Sequence, residues 1–405
     1  MLLDRTSNRY SFAVRYLARR VLKPSRPASL AEAGLFTGAP QHETFASMDN
    51  LAPIRRMPAS STPTSWPVGP PLTLPPTYEF AGRERSSEQF LTETDTSALL
   101  VIVDGAIRLE RYLLTGGPSV RWLSMSVAKS FISALVGIAL QEGHIATTAD
   151  AISDYVPVRP GSAYDGVSIL DVLQMSSGAR WNEDYNDPHS DIHQLTQAMM
   201  GRHGGLDGFV ARMATQHPPQ SVCRYNSGET QILGALIAHA TGRTVADYMT
   251  EKLVEPLGFE SPGFWVTDMR GTEMSYGGLN LTARDFARLG ELYRNNGTWH
   301  GRALIDPEWV RDSTTIDAPI REAGHPIVGD HAIDLGYGYQ WWIPAGHHGD
   351  YCAIGVLNQL VYVNPATKTT IVKLSANRAY GTSTEETTNR DLENVEFLRW
   401  IARTI

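Results

Sequence analysis

Continuous apolar runs mark the two ends of the folded part of this chain as strand-rich and its middle as helical. Ala98-Leu99-Leu100-Val101-Ile102-Val103 is apolar throughout and predicts a strand. Asp104-Gly105 follows, and Ala106-Ile107-Arg108-Leu109-Glu110-Arg111-Tyr112 reads as a second strand. An Asp-Gly pair between two such runs predicts a hairpin. The run 131–140 is apolar except for Ser133 and Gly137. It predicts a helix that starts at Ser126, ends at Gly143 and is buried on most sides. Residues 145–315 read mainly as helices and long loops, with helices over 231–239, 245–257 and 282–295. Thr282 is the expected N-cap of the last, with Asp285 in its first turn. Strands return over 337–343, 351–356, 360–364 and 370–375, and 390–405 reads as a closing helix. This order predicts an α+β fold. An antiparallel sheet is built from both ends and flanked by helices, with a mainly helical subdomain inserted over about 145–330. The helix headed by Ser126 then lies at the junction, where clefts form.

The N-terminal part follows other rules. Arg5, Arg9, Arg15, Arg19, Arg20 and Lys23 face a single acid, Asp4, while Tyr10, Ala13, Val14, Leu17 and Val21 recur at helical spacing. This predicts a short basic amphipathic helix. Arg15 breaks its apolar stretch and no small-residue cleavage site follows, so it does not read as a secretory signal. Such a helix packs on the body of the protein, frays, or touches an anionic membrane surface. Residues 51–80 hold eight of the 24 prolines and no periodic apolar pattern. They read as an extended arm, with ordered structure expected from Tyr78. The expected division is therefore 1–77, helix and arm, and 78–405, one large domain.

Composition narrows the function classes. The net charge of -8 and the lack of a basic, aromatic-rich stripe argue against nucleic-acid binding as the main role. The two cysteines, Cys223 and Cys352, read as reduced, buried thiols in a cytoplasmic protein. No run of 18 apolar residues predicts a membrane span. No cofactor motif stands out. G-x-S-x-G, P-loop and dinucleotide fingerprints are all absent. Oligomerisation is left open.

The candidate chemistry begins at Ser126-Val127-Ala128-Lys129, an S-x-x-K signature. Residues three apart share a helix face, so the Ser126 hydroxyl stands beside the Lys129 ammonium. A lysine on a buried helix must find a partner or lose its charge, and a neutral amine can take the hydroxyl proton. The bland alternative is a polar helix start with a solvated lysine. Tyr225-Asn226-Ser227 follows about a hundred residues later, in a loop after Pro218 and Pro219. Its phenol can pass a proton to a leaving group, and Ser227 can bond Lys129 or the substrate. Alone it is a turn with an exposed tyrosine; with S-x-x-K it forms a pair. His347, His348, Asp350 and Cys352 cluster but fit no structural zinc pattern, so no metal is expected. Asp184 and Asp187 flank Tyr185 and read as loop scaffold rather than as a working carboxylate pair. Trp341 and Trp342 alternate, so one should face the core and one the cleft.

Six blocks carry a resemblance. They are Leu123–Ser130 with its S-x-x-K, Trp181-Asn182-Glu183-Asp184-Tyr185-Asn186-Asp187-Pro188, Tyr225-Asn226-Ser227, Leu281–Arg288, Tyr339-Gln340-Trp341-Trp342, and Ile354-Gly355-Val356 before Gln359. Over about residues 80–400 the chain resembles the class C β-lactamase-related serine hydrolases. Within them it is similar to the 6-aminohexanoate-dimer (nylon-oligomer) hydrolases. The resemblance implies a β-lactamase/transpeptidase-like fold and cleavage of small esters or amides through a serine acyl-enzyme. An acyltransferase or a penicillin-recognising protein on the same fold is the alternative. It implies Ser126 as nucleophile, Lys129 and Tyr225 as proton carriers, and the amides of Ser126 and Val356 as oxyanion hole, where losing one donor typically costs about 3 kcal/mol. It also implies Tyr185, Ser227, Trp342 and Gly355 at the substrate. The chain departs from the pattern at Gly355-Val356-Leu357-Asn358-Gln359. β-Lactamases have Lys-Thr-Gly there, and the nylon-oligomer hydrolases a His where Leu357 stands. No cation is evident to hold a β-lactam carboxylate.

Overall fold

Strand β1, Thr96–Val103, is buried along nearly its whole length, as its uninterrupted apolar run requires. It pairs with β2, Ala106–Tyr112. Asp104 and Gly105 stand between them with φ of 49° and 78°, the paired positive values of a tight hairpin turn. The computed structural model describes residues 35–317, 327–329, 331–346 and 348–405. Five later strands complete the sheet: β3 (Leu335–Tyr337), β4 (Trp342–Pro344), β5 (Tyr351–Gly355), β6 (Gln359–Asn364) and β7 (Thr369–Ser375). The order is β3-β4-β5-β6-β7-β1-β2, and all the neighbours are antiparallel. The C-terminal strands thus close on the N-terminal hairpin, with Lys373 opposite Leu99. The fold is α+β, as expected from the two strand-rich ends.

Two helices pack on one face. Helix α1, Ala128–Gln141, is buried from Ala128 to Ala139. Helix α3, Ala283–Arg294, is capped by the Thr282 hydroxyl, which accepts from the Asp285 amide at 3.2 Å. Between them in sequence lies α2, Ser227–Thr241. Phe131 of α1 meets Phe286 of α3 edge-on at 6.1 Å. The closing helix α4 spans Asp391–Arg403. Cys223 and Cys352 are free and buried. Among the described residues, no helix is long and apolar enough to cross a membrane.

Two expectations need correction. The single strand over 337–343 is two strands, β3 and β4. Gly338 donates its N–H to the Trp341 carbonyl at 2.9 Å and Gln340 takes φ 64°, so the chain reverses there. Ordered structure also begins well before Tyr78. Residues Ile54–Met57 pair with Gly263–Val266 in a second, four-stranded sheet that continues through Leu279–Leu281 to Trp122–Leu123. The Pro-rich stretch is extended but laid on the protein: Ser60 N–H donates to Phe259 O and Thr64 N–H to Gly258 O. Proline removes a donor only at its own position, so its neighbours still pair. The basic helix expected in residues 1–23 lies outside the described residues. The small sheet matters to the site, because two of its strands lead into the nucleophile turn and the loop facing it.

Candidate active site

Trp122–Leu123 delivers the chain to a turn that is held tightly. Ser124 N–H donates to Leu279 O at 2.8 Å, and the Ser124 hydroxyl donates to Met125 O at 2.9 Å. Met125 has φ 44°, a strained value for a side chain of this size. Ser126 follows in a single 3-10 turn that leads into α1. Lys129, one turn on, is buried. Its Nζ donates to Ser126 Oγ at 3.1 Å, Ser227 Oγ at 3.1 Å and Tyr276 O at 2.9 Å. Burial pulls its pKa down to about 7, with Glu183 pushing the other way. The solvated-lysine alternative is excluded by this geometry.

Tyr225, buried just before α2, lines one cavity with Ser126, whose hydroxyl partly offsets the effect of burial on the phenol. Its pKa is raised well above the usual tyrosine value, by burial first and then by the charge of Glu183. The Lys129 Nζ stands 5.0 Å from the centre of its ring. Trp342 stacks on the same ring at 5.3 Å and 25°. Trp341 points into the core against Tyr293 at 4.6 Å, so the two tryptophans divide as expected. Gln340 between the helices is a brace: its carbonyl accepts from Ser130, and its side chain bonds Thr230 and Leu173 O.

Strand β5 ends against the nucleophile turn. A Cβ at Gly355 would stand 2.9 Å from Ser126 N and 2.7 Å from Ser124 O, so only glycine allows this approach. Val356 follows at the cavity wall beside Ser126. Leu357 and Asn358 then form the hairpin turn, with φ of 61° and 67°. Leu357 is buried in the core. It lines neither of the cavities beside Ser126.

Glu183 is the residue that sequence reading missed. It stood in a block noted for its resemblance, without a role. It is 2 % exposed and gathers four donors. Ser227 donates to it through both N–H, at 3.1 Å, and Oγ, at 2.6 Å. Tyr185 donates at 2.9 Å, and Trp181 Nε1 also donates. A hydrogen-bonded line therefore runs from Lys129 through Ser227 to Glu183, and holds Tyr185 at its end. One carboxylate between two aromatics carries no periodic signal, so only the fold reveals it. Asp184 and Asp187 are loop scaffold, accepting from Asn186 N–H and from Asn182 Nδ2 and His189 N–H. Asp350 accepts from Tyr362 and Arg399, and His347 lies outside the described residues.

Ser126 sits between two small cavities. One, about 30 Å³, is lined by Met125, Ile192, Met274 and Val356. The other, about 50 Å³, is lined by Tyr225, Trp342, Tyr380 and Asp391. Tyr185 borders both. The second shares Tyr185, Tyr380 and Asp391 with a larger cavity of about 350 Å³. The Asp391 carboxyl is pushed up to about 8, by burial and then by Glu386, and accepts from Tyr380 Oη at 2.9 Å.

The beta-lactamase family model matches residues 88–395. The chain belongs to the beta-lactamase family. A 6-aminohexanoate-dimer hydrolase of Paenarthrobacter ureafaciens is 31 % identical over 342 residues, covering 82 % of this chain and 84 % of that one. A Bacillus anthracis protein provisionally named a 6-aminohexanoate-dimer hydrolase superposes with a TM-score of 0.77 at 21 % identity, over 89 % of this chain and 94 % of that one. A penicillin-binding protein homologue from Caulobacter crescentus gives 0.58 at 17 % identity, over 76 % and 92 %. At such identities these two structures speak to the fold. The chain is a serine hydrolase of this family, similar to 6-aminohexanoate-dimer hydrolases.

Proposed function

We propose that this enzyme cleaves small linear amides and esters through an acyl-enzyme on Ser126. The observation that carries this is the buried Lys129 amine bonded to Ser126 Oγ with a pKa drawn down to about 7. At neutral pH much of it is free base. As Ser126 Oγ bonds to the carbonyl carbon, its proton passes to Lys129 Nζ. Tyr225 keeps its proton at this pH and supplies it to the leaving nitrogen or oxygen as the old bond breaks. The proton on Lys129 then restores the phenol. Water attacks the acyl-enzyme by the same route in reverse. The amides of Ser126 and Val356 take the developing oxyanion, supported by the close approach at Gly355. The choice of linear amides rests on the similarity to the Paenarthrobacter enzyme and on the cavity of about 350 Å³ that adjoins the site at Tyr185, Tyr380 and Asp391. Profiling p-nitrophenyl esters and linear amides, with and without an added amine acceptor, tests the reading. Turnover to the free acid supports it; product found only with the amine present would make the enzyme an acyltransferase.

Four expectations follow from the geometry. kcat/KM for an activated ester rises with pH through a midpoint near 7, because the base must be neutral and is lost as pH falls. Glu183→Gln removes the charge that favours the ammonium, so the midpoint moves to lower pH. A midpoint unmoved or raised in this variant contradicts the role given to Glu183. Tyr185→Phe slows amide cleavage more than ester cleavage, since its phenol oxygen borders the site and can accept from the N–H of an amine leaving group while Tyr225 supplies the proton. Equal losses on both would mean that Tyr185 only packs. Nitrocefin turnover stays far below that of a good ester, because neither cavity beside Ser126 is lined by a lysine, arginine or histidine that could hold a β-lactam carboxylate; comparable rates would contradict this.

A further inference from the structure

A segment ninety residues before the nucleophile walls the Ser126 site. Residues 35–38 form a turn in which Phe36 takes φ 63°. An aromatic residue in the left-handed region is strained, and it persists where its surroundings hold it. Here three contacts hold it. The Phe36 ring stacks on Tyr185, with centroids 4.5 Å apart and planes at 23°. It meets Tyr380 at 6.5 Å. It also rests on Gly381, where a Cβ would stand 2.5 Å from Phe36 Cδ1. From this position Phe36 closes the smaller, apolar cavity beside Ser126.

The two cavities beside Ser126 have different tasks in the proposed mechanism. Tyr225 lines the one with Trp342 and Asp391, and not the one with Phe36. The leaving group must reach Tyr225 to take its proton, so it lies on that side. The acyl chain then extends the other way, towards Met125, Ile192 and Phe36. We propose that Phe36 is a specificity-determining residue: its ring limits the acyl part of the substrate to short chains. This inference rests on the serine-hydrolase reading above.

The test uses the full chain and p-nitrophenyl acetate, butyrate, hexanoate and octanoate. Phe36→Gly removes the ring and suits the positive φ, and Phe36→Leu trims the ring to an aliphatic. Phe36→Gly raises the octanoate-to-acetate ratio of kcat/KM about tenfold over the unaltered protein, a size that one or two methylenes carry in an apolar pocket. Phe36→Leu falls between, and carries the comparison should Phe36→Gly not fold. An unchanged ratio, or an equal loss on all four esters, overturns the proposal and leaves the hydrolase reading standing. If the unaltered protein cleaves none of the esters and Ser126 takes up no fluorophosphonate, the hydrolase reading itself fails and the proposal falls with it.

Discussion

Ser126→Ala abolishes turnover of activated esters and leaves the fold intact. In the proposed mechanism the hydroxyl is the acyl acceptor, and among the described residues Ser126 is the one serine that lines both cavities. The expected loss in kcat is at least about 10³-fold, since removing a nucleophile disables the whole proton-handling group. The fold should tolerate the change for a specific reason. Lys129 keeps two of its three partners, Ser227 Oγ and Tyr276 O, so its amine is not orphaned. A melting temperature close to that of the unaltered protein, together with lost activity, is the expected pair of results. Retention of a substantial share of turnover would place the chemistry elsewhere.

Lys129→Met and Tyr225→Phe each slow acylation severely, and the double variant is little slower than the worse single one. The two residues are parts of one device. In the proposed mechanism Lys129 serves as base because burial lowers its pKa, and Tyr225 as donor because burial and Glu183 raise its own. Lys129 bonds the Ser126 hydroxyl and Tyr225 lines the cavity it opens on, so once either is gone the other has no complete path for the proton. Losses that multiply in the double variant would mean that the two act independently. A burst of p-nitrophenol at stopped-flow times separates acylation from deacylation in each variant.

Much of this site was legible before any coordinates. Ser126, Lys129, Tyr225 and Ser227 follow from two short motifs and a buried helix, and the structure joins Lys129 by hydrogen bonds to Ser126 and Ser227, with the Tyr225 ring beside its amine. Trp341 and Trp342 divide between core and cleft as alternation requires. The main sheet was also legible, because β1 and the C-terminal strands are long apolar runs. Three things were not. Strands β3 and β4 merged in the pattern, because the reversal at Gly338 and Gln340 leaves no polar gap. Glu183 works through tertiary contacts with Ser227, Tyr185 and Trp181, which no local pattern encodes. The segment before Tyr78 has too many prolines and too little periodicity to read as structure. Its order comes from pairing with Gly263–Val266 and from the seat of Phe36 against Tyr185.

The central claim is that Ser126 becomes an acyl acceptor because a neutral Lys129 takes its proton. Intact-mass and peptide mapping after brief exposure to an aryl fluorophosphonate, across pH 5.5 to 9, measures it most directly. The account predicts a single adduct on Ser126, absent from Ser126→Ala, whose rate of formation rises with pH through a midpoint near 7. No adduct, an adduct on another residue, or a labelling rate flat across that range would contradict it.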